Sequence, residues 1–192
     1  MIKYKNYECC LSELKDYINK TTIKDLMCKP EHKVMREQFV AAIFCKGYSK
    51  FTDKEWSLRM VEQSDQPPDF EIVNLDDINE NYTKQGIEIV SVYEKSLKYK
   101  NQKEIEEKII SIIQESKIAK LMTGREKQFL CVNLDLNCLN LDLYKITCAI
   151  AELNPEYMEI WLQYIYKENA SSVSYAIQSI WPLCYRREFE IG

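Results

Sequence analysis

Asp65-Gln66-Pro67-Pro68-Asp69-Phe70-Glu71-Ile72-Val73, read together with Gln85-Gly86-Ile87-Glu88-Ile89-Val90, decides how this chain is organised. In the first stretch a carboxylate, Asp69, follows two prolines and opens an apolar run. In the second a carboxylate, Glu88, stands in the middle of an apolar run that follows a glycine. The intervening residues, Asn74 to Lys84, are polar. The layout predicts a β-hairpin with one acid on each strand. On paired strands two such acids can face the same way and share a divalent metal ion.

Each acid has a plainer reading. Asp69 after Pro-Pro suits a turn, bonding its own backbone. Glu88, Val90 and Val92 alternate along their strand, and an ordinary strand can turn all three outward, with the acid in solvent.

The elements around the hairpin follow from periodicity. Leu11, Leu14 and Ile18 predict a short amphipathic helix over 7–20. Thr21 or Thr22 can cap a further turn through Met27. Pro30 suits the first position of a helix over Glu31–Cys45, with Met35, Phe39, Ala42 and Ile43 as its stripe, widened by Val34, Val40, Ala41 and Phe44 so that the helix is largely buried, and Gly47 as its stop. On that helix Glu37 sits about 60° from Val34 and Val40, beside apolar surface. A carboxylate there needs a partner or a metal. The alternative is a rim glutamate paired with Lys33.

Trp56–Gln63 alternates like a strand, Phe70 to Val73 continues the hairpin's first arm, and Ile87–Tyr93 is its second. Lys103–Met122 reads as a helix on Ile105, Ile109, Ile112 and Ile113, stopped by Gly124. Phe129–Leu136 is a strand with one apolar face. Asp142 caps a helix through Leu153, and Met158–Tyr166 is another strand. Residues 171–181 fit a helix or an edge strand equally. Strands that follow crossover helices should be parallel and interior, and the first hairpin antiparallel. The fold class is α/β: a mixed sheet flanked by helices on both faces.

The chain has 192 residues, 46% of them hydrophobic and 29% charged, which fits a single folded domain. A net charge of −4 argues against a protein that coats nucleic acid, while leaving room for a local basic groove. No uncharged run approaches the length of a membrane span, and the N-terminus has no signal-like apolar core. The 8 cysteines include no CxxC pair and His32 is the only histidine, so a zinc site is not expected. Reduced thiols point to the cytoplasm, with Cys45, Cys131 and Cys148 as core residues. His32 is expected on the surface or in a cap. Tyr164 and Tyr166 share a strand face, where they either pack in the sheet or stack on bases.

At this point the residues carry a resemblance. Glu37 in Arg36-Glu37-Gln38-Phe39-Val40-Ala41-Ala42, Pro68-Asp69-Phe70, and Gly86-Ile87-Glu88-Ile89-Val90 together resemble the PD-(D/E)XK, or restriction-endonuclease-like, nuclease superfamily. About eighteen residues separate the two hairpin acids. The likeness spans roughly residues 31–166. It implies an αβββαβ core over 30–167, preceded by a helical extension over 1–29 and followed by a C-terminal segment, 168–192. It implies Asp69, Glu88 and the main-chain carbonyl of Ile89 as ligands of Mg²⁺ or Mn²⁺, with Glu37 touching the metal directly or through water. Nucleic acid, DNA before RNA, would be the substrate, in defence or repair, and a homodimer is one possible assembly.

The chain departs from the pattern at Val90, where the family places a lysine. Lys84, Lys95 and Gln85 are the nearest substitutes, and Lys95 is assigned the catalytic role. The Lys-rich 95–103 stretch, or Arg125 and Lys127, would hold phosphates; the alternative is a solvated charge run. Two further readings follow from the missing lysine and the acidic charge: a nuclease fold that binds or assembles without cutting, and an unrelated α/β interaction or inhibitor protein.

Overall fold

The computed structural model describes residues 4–20, 26, 29–61, 68–74, 83–93, 101–115, 127–137, 141–153, 156–168, 173–181 and 185–191. They are mixed α/β, with four helices and both antiparallel and parallel strand pairs. The chain forms two compact units, Met1–Ile87 and Glu88–Gly192.

The first unit opens with a two-residue strand, β1 (Lys5–Asn6), and helix α1 (Tyr7–Lys20). A 3₁₀ turn, Pro30–His32, carries Pro30 at its start and leads into α2 (Lys33–Thr52). Strands β2 (Trp56–Met60) and β3 (Phe70–Asn74) follow, then the opening residues of β4 (Lys84–Tyr93). The order β1-β2-β3-β4 is antiparallel throughout. Arg59 stands opposite Glu71, Phe70 opposite Ile87 and Val73 opposite Lys84, so the expected hairpin forms.

Every residue from Phe39 to Cys45 is buried, which makes α2 a core helix rather than an amphipathic one. Phe44 meets Phe70 edge-on at 5.9 Å between ring centroids, and Tyr48 meets Trp56 at 5.2 Å. The Cys45 thiol is buried, donates to the Trp56 carbonyl, and is pushed up by burial. Cys131 is likewise buried, whereas Cys148 is half-buried.

Gly47 does not end α2. The helix runs through it, buried, for five more residues, and Asp53 closes it in the left-handed region (φ 54°) with its N–H on the Ser49 carbonyl. The physical reason is packing. Tyr48 and Phe51 stack at 6.4 Å and extend the aromatic face beyond the glycine, which outweighs a local stop signal.

The second unit holds the rest of β4, α3 (Gln102–Ile113), β5 (Gln128–Asn137), α4 (Leu143–Glu152), β6 (Glu159–Glu168), β7 (Val173–Trp181) and β8 (Tyr185–Ile191). Strand order is β4-β5-β6-β7-β8. β5 and β6, joined through α4, are parallel as the crossover rule requires; β6–β7 and β7–β8 are antiparallel.

Both helices pack on one apolar cluster. Val90 and Val92 of β4, Ile109 and Ile113 of α3, Leu130 and Val132 of β5, Ile146 and Ile150 of α4, and Leu162 of β6 are all in it. Asn101 and Asp142 cap α3 and α4, each side chain accepting from the backbone N–H three residues on, at 3.0 Å.

Residues 173–181 are a strand, and an interior one between β6 and β8, not an edge. The expected turn through Thr21 or Thr22, the hairpin loop over 75–82, the C-terminal part of the Lys103–Met122 helix and the stretch containing Lys95 lie outside the described residues.

Candidate functional site

Asp69 is held at the entrance of β3 by backbone bonds on both sides. Its N–H donates to the Ile87 carbonyl at 3.0 Å, and its own carbonyl accepts from the Val61 N–H at 3.2 Å. The sheet, not a turn, fixes this backbone. The side chain is half-buried.

Glu37 projects from the second turn of α2. Lys33 lies 3.6 Å from its carboxylate, one helical turn back, which is the rim pairing considered from the sequence. The pairing does not dominate. Burial pushes the Glu37 carboxyl above its ordinary range and Asp69's negative charge adds to the rise, against the opposing pull of Lys33. Glu37 and Asp69 both belong to the first unit.

Glu88 belongs to the second unit. It is 1% exposed, in line with Val90 and Val92 on the face that meets the apolar cluster. The outward, solvated placement is overturned, because turning this face outward would expose both valines as well. A buried carboxylate needs a donor. Tyr157, 3% exposed, supplies one: its hydroxyl donates to Glu88 Oε2 at 2.9 Å. Val90, in the place of the family's lysine, is a core position at 6% exposure. An ammonium group there would sit in hydrocarbon.

The basic candidates separate. Lys84 is tied to Glu71, the acid two residues beyond Asp69 on the same strand face, and Arg59 reaches that carboxylate from the opposite strand. Arg59 Nε donates to Glu71 Oε2 at 2.9 Å and the guanidinium lies over the Tyr4 ring. Gln85 donates to the neighbouring Gly86 carbonyl. Lys127 is exposed. Lys95 and Arg125 lie outside the described residues.

His32 accepts or donates through Nδ1 to the Tyr17 hydroxyl at 2.7 Å, a link between α1 and the 3₁₀ turn. Tyr164 is buried in the apolar cluster, so it packs in the sheet and presents no face for a base.

The contacts of three residues escaped the sequence reading. Tyr157 was not distinguishable among 13 tyrosines. Glu71 had a signal, an acid inside the run Phe70-Glu71-Ile72-Val73. Glu106 had one too: it falls on the stripe with Ile109 and Ile113. It is 2% exposed, accepting from Lys145 Nζ at 2.8 Å, from the Asp142 N–H at 3.0 Å and from Gln102 at 2.8 Å.

Among the described residues, no group of three or more His, Cys, Asp or Glu side chains is arranged to hold a metal ion. Glu37, Asp69 and Glu88 are each carboxylates, the donor type that hard cations take. Among the same residues no helix is long and apolar enough to cross a membrane. Compared with known proteins, the chain matches no family model, no curated protein and no solved structure.

Proposed function

We propose that this chain hydrolyses phosphodiesters of nucleic acid, DNA in preference to RNA, with Mg²⁺ or Mn²⁺, on a restriction-endonuclease-like core. The observation that supports it most is the antiparallel β3–β4 hairpin with Asp69 held at its head, preceded in the chain by the helix α2 that carries Glu37. The order helix acid, first-strand acid, second-strand acid is that of the PD-(D/E)XK family, and Glu88 on β4 supplies the third member.

In this reading Asp69, Glu88 and the carbonyl of Ile89 would hold the metal, and Glu37 would join them directly or through water. The bound metal supplies Lewis acidity: it lowers the pKa of a water and neutralises charge on the phosphoryl oxygens. The chain's own work is to bind and orient. The β-ladder fixes Asp69's backbone, the apolar cluster keeps bulk water from Glu88, and basic side chains hold the phosphates.

A second reading rests on its own observation. Val90 is a core residue where the family uses a lysine, and Lys84, one of the candidate substitutes, is bound to Glu71. A nuclease fold that binds nucleic acid or protein without cutting would have this character. Incubating the protein with plasmid and with single-stranded DNA, in Mg²⁺ and in Mn²⁺, tests both. Cleavage by the wild type, lost in Glu88→Ala, is expected. Cleavage that survives the substitution removes the site assignment. Retardation of DNA in a gel without cleavage in either metal selects the second reading.

A further inference from the structure

We infer that Arg59 and Lys84 form a phosphate clamp on one face of the β2-β3-β4 strands, preset by Glu71, and that its ligand is a backbone phosphodiester of DNA. The inference rests on the nucleic-acid reading above and names the basic side chains that reading requires. It gives Lys84 a binding role in place of the missing catalytic lysine, and it needs no metal.

The strand register places the parts. Arg59 stands opposite Glu71 and Glu71 opposite Gly86, while Lys84, two residues before Gly86, lies on the same face. The other face of β3 carries Phe70 and Ile72, both buried, with Phe70 against Phe44 of α2. Arg59 Nε and Nη2 donate to Glu71 Oε2, and Lys84 Nζ is paired with Oε1. Two cations are thus pinned to the two oxygens of one carboxylate, close enough for a single tetrahedral anion to bridge them. The Tyr4 ring, its centroid 5.7 Å from the guanidinium carbon, supports the guanidinium from a third side.

One cation would neutralise Glu71, and two are present, so the trio keeps a net positive charge. The carboxylate lies beneath, its side chain 8% exposed, while those of Arg59 and Lys84 are 26% and 47% exposed. The bonds to Glu71 use two of the five N–H groups of a guanidinium and one of the three of an ammonium. Gly86 keeps the approach open. Directly opposite residues of an antiparallel pair hold their Cβ atoms about 5 Å apart, so a side chain at this position would roof the carboxylate. A planar arginine fork beside a lysine point charge is the pairing that recognises phosphate oxygens. Asp69 lies on the same strand face about 7 Å from Glu71, two residues back, so the clamp flanks that acid and leaves it uncovered.

The test is binding of a fluorescein-labelled single-stranded DNA oligonucleotide to the full chain in EDTA, read by anisotropy across a salt series. Lys84→Gln leaves Arg59 on Glu71 and is expected to weaken binding about 3–10-fold at low salt. It should also reduce the slope of log affinity against log salt by about 0.7, the share of one phosphate contact on a single strand. Equal affinity and equal slope in wild type and variant overturn this inference and leave the nucleic-acid reading standing. Weaker binding with an unchanged slope also overturns it, because the lysine would then act through the fold. A wild type that cleaves DNA with Mg²⁺ or Mn²⁺ but binds none in EDTA overturns the clamp alone. A wild type that neither binds nor cleaves overturns the nucleic-acid reading and the clamp together. If Lys84→Gln does not fold, as judged by near-ultraviolet circular dichroism, acetylation of the wild-type lysines read by mass spectrometry carries the test. The oligonucleotide should protect Lys84, and acetylation of Lys84 at an undiminished rate in its presence overturns the inference.

Discussion

Asp53 shows how a single residue's backbone can oppose its side chain. It is the one non-glycine among the described residues with positive φ, and it ends α2 because the chain must reverse there to bring Trp56 under Tyr48. A left-handed residue with a Cβ costs about 1 kcal/mol that glycine would not incur. Asp53→Gly is therefore expected to raise stability by about 0.5–1 kcal/mol, read as a shift in the urea midpoint with unchanged slope. A loss of stability would mean that the aspartate side chain, and not the turn, holds the helix end. At this scale the acids of the hairpin were legible because a carboxylate inside an apolar run is an anomaly that sequence displays. Glu71 and Glu106 displayed the same anomaly, but their partners did not: Arg59 and Lys145 are ordinary basic residues until the strands and helices pair. Tyr157 had no anomaly at all, since a tyrosine before a strand is unremarkable in sequence.

Elements were legible where period and cap agreed. Asp142 was readable as a cap, and it does cap α4. What could not be read is that the same N-terminus is tied to α3. Glu106 reaches from α3 to the Asp142 N–H and to Lys145, so one buried carboxylate joins two helices that lie on a common apolar cluster. Removing each acid should separate the two effects. Asp142→Ala loses a cap and is expected to cost about 1 kcal/mol. Glu106→Ala removes a buried carboxylate that accepts from Lys145, Gln102 and the Asp142 N–H together, and is expected to cost about 2 kcal/mol. Chemical denaturation of both variants measures the difference, and a Glu106 cost below that of Asp142 would show that water replaces the lost acceptor. Gly47 and residues 171–181 misled for a shared reason. Local signals mark a break or an ambiguity, and tertiary contacts decide: an aromatic face carries α2 through its glycine, and pairing on both sides makes β7 a strand. β8 was not readable because it completes a hairpin whose register only β7 defines.

Across the whole molecule, two pairs of carboxylates push the dependence of stability on acidity in opposite directions. Burial raises Glu71 and Glu106, but hydrogen bonds and positive charge outweigh it: Lys84 and Arg59 for the first, Lys145, the Asp142 N–H and Gln102 for the second. Both end below the ordinary value of 4.5. The unfolded chain then binds protons more readily than the fold, so these two contribute stability above that ordinary value and lose it as pH falls through their lowered ones. Glu37 and Glu159 are the reverse. Burial raises both, for Glu159 against the Trp161 Nε1 hydrogen bond at 2.7 Å, so they favour the fold at low pH and weaken it as pH rises through their raised values. Isosteric glutamines separate the contributions. Glu71→Gln and Glu106→Gln should each lower Tm at about pH 7, with the deficit shrinking towards about pH 3, where the native carboxyls are themselves becoming protonated. Glu159→Gln should raise Tm at about pH 7, and its advantage should vanish over the same descent. Thermal melts across that range decide the matter. A deficit in the first two variants that stays constant with pH would assign their effect to shape and hydrogen-bond geometry, and would remove ionisation from the account of what holds these carboxylates in place.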